Sequence, residues 1–250
     1  MFKATVKKIL SLIGVKLTLI RRPLFPVEFS PEDIKIFEYV RKHELSIVSD
    51  ERLFSTLMAC AHVVTNKIEG DFVECGAYRG GNGILAADYF QRTGTNRIIW
   101  LFDTFTGMSA PTDLDVNYEG NSAKTKFLER QRDGFNDWMY ATIEDVKENF
   151  SKAALLNSNV RFIKGDVLET LKRDSLPEKI SVLRLDTDWY ESTKLELEVC
   201  YPRLSSGGIL IVDDYGSWGG AKKAVDEYFS TRPRPFFQYC DFSRVGVKID

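Results

Sequence analysis

The fold is decided by two stretches, ISVLRLDTDWYEST over residues 180–193 and GGILIVDDY over residues 207–215. Each starts as an apolar, strand-like run and ends in a pair of acids. A helical segment over about residues 190–200 separates them, so we predict two neighbouring parallel strands with this helix as their crossover. Their carboxyl ends would share one edge of the sheet, which is where open α/β sheets bind ligands.

The same alternation of strand and helix extends along the chain on both sides. DFVECG, RIIWLFD and VRFIKGD are strand-like, with helical segments at about 80–92, 141–150 and 167–173, and a last helix covers about 219–230. Five strands separated by helices predict a doubly wound α/β fold with a mostly parallel sheet. The tail, FFQYCDF and then RVGVKID, leaves no room for a helix and predicts an antiparallel edge pair. Seven strands in the order 3-2-1-4-5-7-6 would resemble the Rossmann-like class I methyltransferases.

Two helices precede the first strand and are predicted to cap the core. SPED at residues 30–33 offers an N-cap, a proline at the first helical position and acids in the first turn of a helix that ends near His43. A second helical pattern covers about residues 51–66. We therefore divide the chain into a basic segment with a helical cap over residues 1–66 and a cofactor-binding domain over residues 67–250. Residues 107–140, polar and glycine-containing, are predicted to form a lid.

Composition narrows the class of partner. The 250 residues carry 34 Lys and Arg against 36 Asp and Glu, whereas nucleic-acid binders usually show a strong basic excess. Four scattered cysteines without a CxxC pair, and only two histidines, argue against a zinc-type cluster. We therefore expect a reduced, cytoplasmic protein whose partner is a small molecule and which binds no nucleic acid.

The N-terminus is unusual because its first 22 residues contain lysines and arginines but no acid. Lys16 interrupts the apolar run at residues 9–20 and no small-residue cleavage site follows, which argues against a signal peptide or a membrane span. A basic amphipathic segment can lie on an anionic membrane surface, which would make the protein membrane-peripheral. The alternative, which we favour, is a helix packed on the domain or on a neighbouring subunit of a homo-oligomer.

A glycine-bearing turn, ECGAYRGG at residues 74–81, joins the first strand to a helix. Glycines let the backbone turn sharply and approach a nucleotide-like ligand. The spacing is ExGxxxG rather than the GxGxxG of dinucleotide sites, which favours S-adenosylmethionine, a cofactor without a pyrophosphate. Strand two ends at Asp103, in position for the ribose hydroxyls, and strand three ends at Asp166, near the adenine edge. The predicted cofactor-binding residues are Glu74, Gly76, Tyr78, Gly80, Asp103 and Asp166.

Four carboxylates, those of Asp186, Asp188, Asp213 and Asp214, are predicted to share the edge beyond strands four and five. Two like charges about 4 Å apart repel by roughly 4 kcal/mol at an effective dielectric near 20, so such a cluster needs protons or a cation. An all-oxygen donor set points to Mg²⁺ or Mn²⁺. An alternative is that Asp188 caps the following helix and the Asp213–Asp214 pair makes an ordinary turn, which explains one or two of the acids well but not all four together.

The same segments resemble a known family. LRLDTDWYEST, GGILIVDDY followed by AVDEYF, and GDFVECGAYRGG preceded by the ERLF helix are similar to the macrocin O-methyltransferase family of sugar methyltransferases, from about residue 50 to the end. The resemblance implies methyl transfer from S-adenosylmethionine to a hydroxyl of a sugar or glycan. It also implies that Asp186, Asp213 and Asp214 bind the metal and that Asp188 is the general base.

Three other functions remain open on the sequence alone. A catechol-type O-methyltransferase also uses an acid after strand four and an acid pair after strand five, but the second Asp of DTD and the YEST continuation favour the sugar family. A nicotinamide dehydrogenase is opposed by the absence of GxGxxG. A non-catalytic cofactor-binding or glycan-binding module is opposed by the complete set of acids.

Trp218, in a loop after the last acids, is a candidate wall for the acceptor, whereas Trp189 and Tyr190 are as well explained by packing.

Overall fold

The structure is a computed structural model that describes residues 25–173 and 176–249. The basic N-terminal segment predicted to contact a membrane or a neighbouring subunit therefore lies outside the described residues, and both alternatives stay predictions. Within those ranges, the chain forms no helix that is both long and apolar enough to cross a bilayer.

Two helices, α1 (Pro31–Lys42) and α2 (Asp50–Thr65), precede the sheet as predicted. Helix α1 begins in a capping box, in which the Ser30 hydroxyl accepts from the Asp33 amide and the Asp33 carboxylate accepts from the Ser30 amide. The remaining elements, in chain order, are β1 (Asp71–Cys75), α3 (Gly81–Arg92), β2 (Ile99–Asp103), α4 (Ala123–Glu129), β3 (Gln131–Arg132), β4 (Phe135–Asn136), α5 (Ile143–Lys152), β5 (Val160–Lys164), α6 (Val167–Thr170), β6 (Ile180–Leu185), α7 (Tyr190–Cys200), a 3₁₀ turn (Tyr201–Arg203), β7 (Leu204–Val212), α8 (Gly219–Tyr228), β8 (Gln238–Cys240) and β9 (Ser243–Val247).

Seven strands form one sheet in the order β5-β2-β1-β6-β7-β9-β8, which confirms the predicted topology. The first five strands of the sheet along the chain pair in parallel, and β9 pairs antiparallel with both β7 and β8. Cys75 of β1 is opposite Leu185 of β6, which in turn is opposite Val212 of β7. Because these last residues are in register, the segments that follow them emerge side by side at one edge.

Both faces of the sheet are covered, because successive side chains of a strand point to opposite sides. Phe72 of β1 packs in one apolar cluster with residues of α2, α3 and α5, and Val73 packs in a second with residues of α7 and α8. Strands buried on both faces are typical of parallel sheets.

The segment at residues 107–140 contains the short helix α4 and a hairpin of β3 and β4. It lies against the helices that follow the acid-bearing strands. The buried Asp115 accepts from the Tyr190 amide at 2.8 Å, and the Val116 carbonyl accepts from the Gly219 amide at 2.7 Å. Its role as a lid remains a prediction, but the segment is attached next to the carboxyl ends of β6 and β7.

Candidate active site

A cavity of about 210 Å³ opens at the carboxyl edge of the parallel strands. Nine of the ten predicted site residues line it: Glu74, Gly76, Tyr78, Asp103, Asp166, Asp186, Asp188, Asp213 and Asp214. Gly80 does not line the cavity. A Cβ at Gly80 would lie 2.9 Å from the Phe150 ring, so this glycine allows helix packing.

The turn after β1 requires glycine at residue 76. Gly76 has a φ of +87°, and a Cβ there would lie 1.9 Å from the Asp186 carbonyl oxygen. The Gly76 amide donates to the Phe102 carbonyl, and the Asp186 amide donates to the Cys75 carbonyl, both at 2.8 Å. The absence of a side chain therefore lets the ends of β1, β2 and β6 converge on one point.

Asp103 holds the glycine turn through the backbone. One of its carboxylate oxygens accepts from the amides of Ala77 at 2.8 Å and Tyr78 at 3.0 Å, and the other accepts from the Phe105 amide at 2.7 Å. Its enclosed position raises the pKa of Asp103, while these three amide hydrogen bonds lower it. Asp166 also accepts a backbone amide, that of Leu168 at 2.9 Å, and so caps α6.

Glu74 is the predicted cofactor residue with the least satisfied side chain. Its carboxylate is 1% exposed, and burial raises its pKa to about 7. Its Oε1 is 3.7 Å from the Arg184 Nε, whereas its Oε2 has no hydrogen-bond partner. A buried acceptor of this kind at a cavity wall is suited to a ligand's N–H or O–H donor.

The predicted metal ligands converge. One carboxylate oxygen from each of Asp186, Asp213 and Asp214 lies within 4.8 Å of the others. Burial raises the pKa of Asp214, and the neighbouring acids Asp188 and Asp213 raise it further. Burial also raises the pKa of Asp186, although Arg184 opposes this. Bound protons or a cation would therefore relieve the repulsion among these carboxylates.

Two arginines that the sequence reasoning had not assigned neutralise part of this charge. The fully buried Arg184 of β6 donates to Asp186 at 2.8 Å and to the Asp213 Oδ1 at 2.6 Å. Arg52 of α2 donates to the Asp213 Oδ2, also at 2.6 Å. A charged residue inside the apolar run ISVLRLD was a readable signal for Arg184, whereas nothing along the chain connected Arg52 with Asp213.

Asp188 lies beside the three clustered acids in a left-handed conformation, with a φ of +67°. Its amide donates to the Asp214 Oδ2 at 3.2 Å. Its enclosed position and the charge of Asp186 raise the pKa of the Asp188 carboxyl to about 7, while side-chain hydrogen bonds with Asp214 and Trp218 lower it. The group is therefore adjacent to the clustered acids and shares the cavity with the cofactor residues.

Glu196 is a further residue that sequence reasoning missed. It holds Thr187, the residue before Asp188. This carboxylate of α7 is fully buried and accepts from the Thr187 hydroxyl at 2.8 Å. Burial raises its pKa to about 8, and the charge of Asp166 adds to the shift. A single Glu in the helical pattern of residues 190–200 carried no sequence signal that it faces inward.

The aromatic residues around the acids are mainly packed against one another. Trp189 is 2% exposed, donates its indole N–H to the Ser109 carbonyl at 3.0 Å, and has its ring centroid 5.0 Å from that of Trp218. Trp138 completes the group from the 107–140 segment. Trp189 and Tyr190 are thus buried packing residues, and the part-exposed Trp218 keeps its place as the candidate acceptor wall.

The strand order, the glycine turn after β1 and the cavity over the parallel strand ends define a class I methyltransferase fold. The chain belongs to the macrocin-O-methyltransferase (TylF) family, whose model matches residues 40–234. It is an O-methyltransferase, and this membership rules out the dehydrogenase alternative.

Individual relatives agree with the family assignment. The chain is 34% identical over 184 residues to the demethyldecarbamoylnovobiocin O-methyltransferase of Streptomyces niveus, covering 73% of this chain and 67% of that protein. It is 32% identical, over the same shares, to the 8-demethyl-8-(2,3-dimethoxy-alpha-L-rhamnosyl)-tetracenomycin-C 4'-O-methyltransferase of Streptomyces olivaceus. The solved structure of the O-methyltransferase NovP superposes with a TM-score of 0.72 at 30% identity, over 82% of each chain.

Proposed function

We propose that this O-methyltransferase transfers the methyl group of S-adenosylmethionine to a hydroxyl of a sugar or glycan, with a divalent metal held by Asp186, Asp213 and Asp214. The observation that carries the proposal is that five of the six predicted cofactor residues and the acid cluster line one cavity. The names of the relatives, one of which includes a rhamnosyl group, support a sugar acceptor.

The donor set fits a hard cation. Three carboxylate oxygens within 4.8 Å, two of them on buried residues, match the all-oxygen coordination of Mg²⁺ or Mn²⁺. Such a cation, when bound, supplies Lewis-acid polarisation of the acceptor hydroxyl and orients adjacent oxygens. Further positive charge at the acids comes from Arg184, which contacts Asp186 and Asp213, and from Arg52, which contacts Asp213.

The chain's own residues divide the other tasks. Asp188 takes the proton of the acceptor hydroxyl, because it lies next to the three clustered acids without belonging to that cluster. The glycine turn and Asp103 shape the cofactor side, and the free Glu74 Oε2 accepts a hydrogen bond from the cofactor. The 107–140 segment, attached through Asp115, excludes water above the acids.

The decisive experiment compares wild type with Asp186→Ala in three measurements: S-adenosylmethionine binding by calorimetry, Mn²⁺ binding by electron paramagnetic resonance, and methyl transfer to a panel of glycosides and catechols. We expect the variant to lose Mn²⁺ binding and turnover but to bind the cofactor within a few-fold of wild type. Asp88→Ala, on α3 outside the cavity, is the control and should behave as wild type.

Each part of the proposal has its own contrary result. Full wild-type turnover in EDTA would overturn the role of the metal. Methylation of catechols without any glycoside would favour the catechol-type alternative. Binding of S-adenosylmethionine without transfer to any acceptor on a broad panel would favour a non-catalytic module.

A further inference from the structure

Arg52 joins three parts of the molecule at the acid cluster. It comes from α2 of the helical cap, donates from Nη1 to Asp213 in the core, and lies over the ring of Phe242 in the turn between β8 and β9, with 5.6 Å between the guanidinium carbon and the ring centroid. Its side chain is only 11% exposed, yet it lines the cavity.

A second acid is within reach of the same guanidinium. The Asp241 Oδ2 lies 3.3 Å from the Arg52 Nε, but this N–H is buried without a hydrogen-bond partner. The Asp241 side chain is 30% exposed, so its surroundings leave it room to move. Arg52 thus donates a hydrogen bond to Asp213, whereas its contact with Asp241 is an ion pair without a hydrogen bond.

The two arginines on Asp213 differ in what surrounds them. Arg184 is 0% exposed and contacts both Asp186 and Asp213 from strand β6 inside the sheet. Arg52 approaches the opposite oxygen of Asp213 from the cavity wall. A cation bound between Asp186, Asp213 and Asp214 would share that carboxylate with Arg52, and the two positive charges would repel at short range.

We propose that Arg52 is a built-in counter-cation that competes with the divalent metal for Asp213, and that Asp241 receives the guanidinium when the metal binds. Arg52 is a positioning residue, because it keeps the ligand carboxylate ordered and its charge compensated before the metal arrives. It also weakens metal binding and couples that binding to the contact between α2 and the C-terminal hairpin. This inference rests on the proposed metal site.

The test measures Mn²⁺ affinity of the full-length chain by electron paramagnetic resonance, with thermal melting alongside. R52Q removes the competing charge and should tighten Mn²⁺ binding by about tenfold, equivalent to about 1.4 kcal/mol. R52K keeps the charge and should stay near wild type. D241N removes the alternative partner and should weaken binding by about threefold, and this loss should largely disappear in the R52Q background.

The matched control is R92Q. Arg92 also bridges two acids, Asp33 and Asp88, between two helices, but it lies outside the cavity. R92Q should lower the melting temperature and leave Mn²⁺ affinity unchanged.

The outcomes separate the inference from the proposed function. If wild type binds Mn²⁺ and folded R52Q binds it equally or more weakly, Arg52 does not compete and the inference is overturned alone. If wild type binds no Mn²⁺, the metal site itself fails. Should R52Q not fold, D241N decides. An unchanged Mn²⁺ affinity in D241N overturns the inference, and Mn²⁺ binding that is about threefold weaker than in wild type supports it.

Discussion

Both halves of the cavity place carboxylates at strand ends, but the groups that hold these carboxylates differ. In the half predicted to bind the cofactor, here called the neutral half, Asp103 and Asp166 are held by uncharged backbone amides, and they shape the loops that follow β2 and β5. In the half proposed to bind the metal, here called the charged half, Asp186 and Asp213 are held by guanidinium groups. The acids of the neutral half are thus part of the backbone hydrogen-bond network. Those of the charged half are paired with arginines and can also contact a bound cation.

The largest effect is expected at Asp188, the proposed general base beside the charged half of the cavity. Asp188→Asn keeps the size of the side chain and removes its basicity, so turnover should fall by about 10²- to 10⁴-fold. Binding of Mn²⁺ and of the cofactor should stay within a few-fold of wild type, because the variant leaves Asp186, Asp213 and Asp214 in place. Single-turnover kinetics beside the two binding titrations would measure this.

Two results would contradict the division between Asp188 and its neighbours. Near-wild-type turnover in Asp188→Asn would mean that another group accepts the proton. Loss of Mn²⁺ together with turnover would place Asp188 among the metal ligands.

An intermediate effect is expected from Asp103→Asn on the neutral half. The amide side chain has one acceptor oxygen where the carboxylate has two, so at least one of the three backbone donors loses its partner. We expect about 1–3 kcal/mol less stability and roughly tenfold weaker cofactor binding, with Mn²⁺ affinity unchanged.

Asp71→Asn is the matched control for this variant, because Asp71 also accepts two N–H groups, those of Ile98 and the Trp100 indole, but at the other end of β1. It should lose stability without losing cofactor affinity. If Asp103→Asn weakened Mn²⁺ binding as strongly as cofactor binding, the two halves would not be separable.

The same contrast explains how much the sequence could predict. Strand order, the antiparallel tail and the convergence of the acids follow from local patterns: apolar runs, helical spacing and the acids that end each strand. Gly76 was also readable, since a turn between a strand and a helix needs a residue without a side chain.

What sequence reasoning missed depends on contacts between distant residues. Arg52 and Asp213 are 161 positions apart, and no spacing rule connects a cap helix with a strand end. Asp103 was predicted to face a ribose, but its backbone partners follow from left-handed conformations at Tyr78 and Phe105, which are not encoded by glycine. The strand ends in the sequence therefore predict which acids gather, and the packed structure reveals what each acid is bound to.

The smallest effect on turnover is expected at Glu196, because this buried carboxyl of α7 does not line the cavity. Its pKa is raised from 4.5 to about 8, so the folded protein holds a proton that the unfolded chain releases above about pH 4.5. The stabilisation is therefore complete below about pH 4.5 and is lost as the pH rises toward 8. Glu196→Gln is neutral at every pH, so its stability relative to wild type should increase between pH 5 and pH 8, by at most about 3–4 kcal/mol for a pKa of about 8 in the folded protein. Urea unfolding at several pH values would measure this, with the exposed Glu191→Gln on the same helix as the control.

Parallel stability curves for Glu196→Gln and wild type would mean that Glu196 is charged in the folded protein and belongs with the acids of the charged half.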